Sequence, residues 1–252
     1  MLGEFFSNLA VIAAEAALAA APASAGAAES VSSAVLAPAP AMEAPLEPAG
    51  AVKQAAALEH TAYDNDHAPA FAGISDEDVA AEVLEHLEGL TTLTGNFVQT
   101  SPSGAVVSGK FYLRRPGQIR FDYDDPSPIT IVATGGMVYV ENADLETTDS
   151  YPMKKTPLRF LLSKKIDLGD AELKAVERAA NQIAVTYASR DEETEGEITL
   201  VLSAPALSIE QWAVRDPRGG VTVVALNSVT VGGALENRLF RAPEAGGAFI
   251  NK

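Results

Sequence analysis

Two imidazoles and two carboxylates fall within one short stretch, His60-Thr61-Ala62-Tyr63-Asp64-Asn65-Asp66-His67, and side chains of these types so close together can hold a metal ion. Asp64 and Asp66 match the first ligand positions of a calcium loop, but Pro69 stands where that loop needs glycine. The stretch lies in a polar segment, so a solvated tail is the better reading and no metal is assigned. The third histidine, His86, falls on a helical pattern at a surface or boundary position. Carboxylates are plentiful at Asp124-Asp125 and across 191–197, but charge runs at turns are ordinarily solvated. No serine sits in a nucleophile elbow, and no glycine-rich strand-to-helix turn could cradle a phosphate. Cysteine is absent, which removes disulfides, thiolate metal sites and a cysteine nucleophile. The formal net charge of -16 argues against a nucleic-acid partner, since phosphates call for a basic face. These residues assign no catalytic group, no cofactor and no enzymatic activity. Function has to be sought in what the apolar residues build.

The 252 residues suffice for one domain with a tail, and 47% of them are hydrophobic, enough for a core. Residues 1–27 read as a secretory signal. The run from Leu9 to Ala21 is apolar apart from Glu15, and Ala23-Ser24-Ala25 suits a signal peptidase. Residues 28–72 are rich in Ala, Pro, Glu and Ser and hold too little apolar surface to offset the entropy of ordering, so a disordered linker is expected there. Order should begin near Ile74. Ser75 can cap a helix whose first turn carries Asp76, Glu77 and Asp78, with Val79, Val83, Leu84, Leu87 and Leu90 on an apolar face and Glu82, Glu85 and Glu88 in solvent.

From Leu93 onward the hydrophobic period changes from 3.6 to 2. Strands are expected around Phe97-Val98 and over 107–113, 119–123, 129–132 and 137–140. Further strands are expected over 173–176, 182–187, 197–202, 209–215, 221–231 and 238–240, roughly ten in all. Pro157 opens a compact apolar run, 157–163, flanked by Lys154-Lys155 and Lys164-Lys165, which reads as a short helix. The fold class is mainly β with helices (α+β): one curved antiparallel sheet or barrel, with the N-terminal helix lying on it. Trp212, the single tryptophan, is expected in the core.

Within 75–243 the motifs come in a specific order. Leu90-Thr91-Thr92-Leu93-Thr94-Gly95-Asn96-Phe97-Val98-Gln99 is followed by Gly109-Lys110-Phe111-Tyr112-Leu113-Arg114-Arg115-Pro116-Gly117 and by Ile119-Arg120-Phe121-Asp122-Tyr123. Gly135-Gly136 then precedes Val138-Tyr139-Val140. The apolar 157–162 segment, Trp212-Ala213-Val214-Arg215-Asp216 and Leu239-Phe240-Arg241-Ala242-Pro243 complete the series. This order resembles the outer-membrane lipoprotein carrier protein family, the periplasmic LolA type. Gly135-Gly136 stands where that family usually has Asp-Gly.

The resemblance implies a half-open antiparallel β-barrel over 73–243, covered by a helical lid, with a C-terminal tail over 244–252. It implies a periplasmic chaperone that binds lipoprotein acyl chains in an apolar cavity and carries them from the inner to the outer membrane. Its partners would be acylated lipoproteins, an inner-membrane lipoprotein-releasing ABC transporter and an outer-membrane lipoprotein receptor, and it would act as a monomer without a cofactor. Such a carrier needs an apolar concavity, because each exposed methylene costs about 0.8 kcal/mol in water. Candidate lining residues are Phe97, Phe111, Leu113, Ile119, Phe121, Ile131, Val138, Val140 and Leu200; candidate lid residues are Leu84, Leu87, Phe160, Leu161 and Leu162. Alternation alone fits a solid core as well as a cavity wall. Arg115 directly precedes Pro116, which holds its backbone extended. The resemblance makes it the residue that locks the lid over the empty form, and Arg114 should face the opposite way. An alternative of the same fold is a periplasmic lipid-binding or lipoprotein-sensing protein.

Overall fold

The computed structural model describes residues 68–156, 158–166, 171–189 and 196–243. The signal expected over 1–27, the linker up to residue 67 and the tail over 244–252 lie outside the described residues. Residues 68–72, expected in the linker, join the fold: the Ala70 N–H donates to the Ala179 carbonyl at 2.9 Å, and Phe71 packs against the core.

Helix α1 spans Asp76–Gly89, and the Ser75 side chain accepts the Asp78 N–H at its N-terminus. Val79, Val83 and Leu87 recur at helical spacing and are fully buried, so the apolar stripe faces the sheet. The chain then forms β1 (Thr92–Thr100), β2 (Val106–Arg114), β3 (Gln118–Tyr123), β4 (Ile129–Thr134), β5 (Met137–Asn142) and β6 (Thr147–Pro152). A 3₁₀ turn at Met153–Lys155 and helix α2 (Arg159–Leu162) follow. They lead to β7 (Ala171–Arg178), β8 (Gln182–Ser189), β9 (Glu197–Ser203), β10 (Ile209–Arg215) and β11 (Val221–Val231).

The described strands number eleven and form one sheet in the order β6-β5-β4-β3-β2-β1-β11-β10-β9-β8-β7. Every pairing is antiparallel, and the first strand pairs with the last. The sheet curls hard. Phe121 on β3 and Trp212 on β10 are four strand spacings apart, roughly 19 Å in a flat sheet, yet their rings meet at 6.2 Å. The sheet stays unclosed: β6 and β7 are its two edges. The segment joining them, with α2 within it, leads from one edge to the other.

Three expectations need correction. Residues 147–152 form an edge strand that alternation could not reveal, because Thr147, Thr148, Asp149 and Ser150 are all exposed. Residues 238–240 are not a strand but part of a 3₁₀ turn, Asn237–Phe240. After Gly232 and Gly233, both at positive φ, the chain leaves the sheet and lays Phe240 on its outer face. The short helix begins at Arg159 rather than at Pro157, its first turn closed by the Leu162 N–H donating to the Leu158 carbonyl at 2.8 Å.

Candidate functional site

The inner face of the curled sheet begins with a reciprocal exchange on β1 and β2. Gly95 pairs with Phe111, and Phe97 pairs with Gly109. Each ring lies over the glycine opposite. A Cβ on Gly95 would come within 2.9 Å of the Phe111 ring, and one on Gly109 within 2.8 Å of the Phe97 ring. The glycines thus make room for two aromatics side by side. Phe121 adds to them, edge-on to Phe97 at 5.2 Å and to Trp212 at 6.2 Å, and Tyr123 meets Phe97 at 5.0 Å. Tyr123 ends in a hydrogen bond to Gln99 at 2.9 Å, and burial pushes its phenol well above the usual range.

Phe97, Phe111, Leu113, Ile119, Phe121, Ile131, Val138, Val140 and Leu200 are all buried in one contiguous apolar cluster. Leu87, Phe160, Leu161 and Leu162 are buried in the same cluster from the helical side, and Leu84 packs half-buried against it. The structure therefore brings every candidate lining and lid residue together. It also brings in residues that sequence reasoning did not single out for the site: Ile183, Val185 and Tyr187 on β8, and Ile198 and Leu202 on β9. Their alternation was legible, but no motif drew attention to them. Tyr187 stacks on Phe160 at 5.8 Å, and its hydroxyl donates to the Ala80 carbonyl of α1 at 3.5 Å. Burial pushes its phenol up to about 12. Trp212, expected in the core, forms part of this inner face as well.

Among the described residues the inward side chains pack on one another as one buried cluster. A hollow of about 20 Å³ opens beside Thr156, Arg159, Phe160, Tyr187, Ile198 and Val214. That is room for about one water and no alkyl chain.

The cover is pinned by polar bonds at one corner. Arg115 follows β2, and its guanidinium donates to the Leu87 carbonyl at the end of α1 and to the Ser163 carbonyl just past α2. The carbonyls of a helix's last turn lack partners within the helix, so a cationic fork is well suited to them. Two more bonds join the same corner: the Gly117 N–H donates to the Leu162 carbonyl at 2.8 Å, and the Ile166 N–H donates to Glu88 Oε1 at 2.7 Å. Glu88 is exposed, as expected, and its carboxylate also ties α1 to the segment after α2. Desolvation lowers the Arg115 pKa, and the nearby Glu88 charge works against that lowering. Arg114 faces the other way. It donates to Gln118 Oε1 at 2.7 Å and Asn237 Oδ1 at 2.9 Å, and its guanidinium lies 4.6 Å from the Phe240 ring centre. At the far end of α1, Arg178 on β7 pairs with Asp76 at 2.6 Å and donates to the Ile74 carbonyl.

Chemically, the arrangement is an apolar sheet face under an apolar helical cover. Among the described residues no cluster of metal-ligating side chains occurs, and no helix is long and apolar enough to cross a membrane.

The chain is similar in sequence to known proteins. An uncharacterized protein of Rickettsia prowazekii is 25% identical over 120 residues, 47% of this chain and 56% of that protein. An outer-membrane lipoprotein carrier protein of Methylococcus capsulatus is 35% identical over 81 residues, 30% of this chain and 39% of that protein. The chain thus spans between 39% and 56% of the length of these two relatives. Among solved structures, a LolA superfamily protein from Nitrosomonas europaea matches at a TM-score of 0.40 and 10% identity, covering 65% of this chain and 97% of that one. Residues 88–243 match the family described as outer membrane lipoprotein carrier protein LolA, and the chain belongs to that family.

Proposed function

We propose that the protein is a periplasmic carrier that shelters the acyl chains of lipoproteins between the inner and outer membranes and performs no covalent chemistry. The observation that carries this reading is the cover. α1 and α2 meet the sheet mainly through apolar side chains; apart from the long Tyr187–Ala80 bond, the polar ties described above lie around Arg115 and Arg178. Lifting the helices would expose the inner face, at a cost set by the apolar area uncovered. Alkyl chains laid against that face would return most of this energy, because one apolar surface replaces another. Loading and release then become near-balanced exchanges, as a carrier requires. The bonds from Arg115 exist only with the cover down, so they favour the empty state and help expel cargo.

The deciding experiment incubates the purified chain with inner-membrane vesicles that hold a labelled lipoprotein, its transporter and ATP. A soluble complex of carrier and lipoprotein is the expected result. A folded protein that forms no complex beside a working transporter would overturn the carrier reading and favour binding of free lipid or sensing of misplaced lipoprotein.

A further inference from the structure

The segment that leads from edge β6 to edge β7 is chemically unlike the rest of the chain. Lys154, Lys155, Arg159, Lys164 and Lys165 place five of the chain's 18 Lys and Arg within twelve positions, and none of its 34 Asp and Glu lies between Asp149 and Asp167. Everything around this strap belongs to a protein of net charge -16. The strap is also amphipathic. Phe160, Leu161, Leu162 and Ile166 are buried beneath it, while Lys154, Lys164 and Lys165 are exposed. Arg159 is half-buried, with its guanidinium 4.9 Å from the Phe160 ring centre. Lys155 is engaged within the fold, which leaves Lys154, Arg159, Lys164 and Lys165. Two nearby acids among the described residues have other partners: Glu88 accepts the Ile166 N–H, and Glu197 pairs with Arg215 at 3.3 Å.

We infer that this strap is a docking surface for anionic phospholipid headgroups, which orients the open side of the half-barrel toward a membrane. The strap concentrates cations within a chain of net charge -16 and holds no acid over 150–166, so an anionic surface attracts it. Lysine is a point charge that suits laterally mobile headgroups, whereas a carboxylate-bearing protein partner is better matched by arginine forks. Three of the four remaining cations are lysines, which favours the lipid surface. Phe160, Leu161, Leu162 and Ile166 anchor the strap in the core beneath, so its exposed lysines are carried on a fixed surface. The inference goes beyond the carrier reading and can fail independently of it.

The test uses the full chain and protein-free vesicles, one set of phosphatidylcholine alone and one an equal mixture of phosphatidylcholine and phosphatidylglycerol, in a flotation assay. Binding to the anionic set only, abolished by raising the salt until the screening length falls to about 3 Å, is the expected result. The double variant K164Q/K165Q should weaken that binding about thirtyfold. The double variant K110Q/K174Q, which neutralises cations on β2 and β7, should leave it unchanged. Tryptophan fluorescence from Trp212 verifies that each variant is folded. Equal binding to both vesicle sets, binding to neither, or binding by K164Q/K165Q at the wild-type level would each overturn the inference. Loss of lipoprotein loading in K164Q/K165Q, with no vesicle binding by the wild type, would also overturn it and make the strap a protein-docking surface. Because these vesicles carry no lipoprotein and no transporter, a negative result leaves the carrier test untouched.

Discussion

Arg114 and Arg115 are adjacent in sequence and identical in chemistry, yet they hold down covers on opposite faces of the same sheet. The outer cover is the 3₁₀ turn at Asn237–Phe240, fastened by hydrogen bonds from Arg114 and by its stacking on Phe240. It lies against β3 and β4, where Val132 is buried outside the inner cluster. The inner cover is α1 with α2, fastened by Arg115 and resting on a cluster that extends across the sheet. Removing the outer cover would uncover a patch that water tolerates. Removing the inner one would uncover a surface that something apolar must replace. Under the proposed function, Arg114 is therefore part of the architecture and Arg115 is part of a switch.

The sharpest way to break this contrast is to damage the inner face itself. Phe121→Ala removes the ring that joins Phe97, Phe111 and Trp212. A loss of about 3–5 kcal/mol is expected in urea unfolding followed by tryptophan fluorescence. A loss below about 1 kcal/mol would mean that the inner face is loosely packed.

Arg115→Leu comes next. It deletes two charge-assisted bonds of a half-buried group, an effect of about 2 kcal/mol. Under the proposed function those bonds are made only with the cover down, so the variant should still accept lipoprotein but hand it to an acceptor about thirtyfold more slowly. Transfer at the wild-type rate would remove Arg115 from the mechanism.

Arg114→Ala should be milder and of a different kind. Fraying of the outer cover by about 1 kcal/mol is expected, read as faster amide exchange over 235–240 with cargo transfer unchanged. Slowed transfer in this variant would erase the distinction between the two arginines.

The two halves of the sheet were unequally legible. In β1 to β5, Gly95, Phe97, Gly109, Phe111, Arg115-Pro116 and Phe121 carry both the alternation and the motif order, so strands, facing residues and the inward arginine could all be read from the sequence. In β7 to β11 the strands were readable, but Leu200 was the single lining residue named. Ile183, Val185, Tyr187 and Ile198 are as deeply buried. Alternation tells which residues share a face, not which face a helix covers. The edge strand β6 escaped because an edge with exposed side chains has no hydrophobic period to detect. Residues 238–240 misled because Leu239 and Phe240 resemble a strand end when the glycines before them are not weighed. The role of Glu88 depends on a tertiary approach of α1 to Ile166 that no local pattern encodes.

The smallest expected effect concerns Tyr187, whose hydroxyl reaches from β8 to α1. Its bond to the Ala80 carbonyl is long, at 3.5 Å, so Tyr187→Phe should change stability at neutral pH by less than about 1 kcal/mol. The difference should appear in alkali. Burial raises the folded-state phenol to about 12, whereas the unfolded chain loses this proton near 10. Between those values the folded protein binds more protons than the unfolded chain, so stability must fall as pH rises. The contribution is whole below about pH 10 and is lost progressively toward pH 12. Replacing Tyr187 with Phe should therefore flatten the decline of the urea midpoint across this window. It should not abolish the decline, because the buried phenol of Tyr123 is also shifted upward. A decline of unchanged steepness in Tyr187→Phe would mean that the hydroxyl reaches water in the folded state. The inner cover would then be open enough at β8 to admit it, and the seal that separates the inner face from the outer one would be incomplete on that half of the sheet.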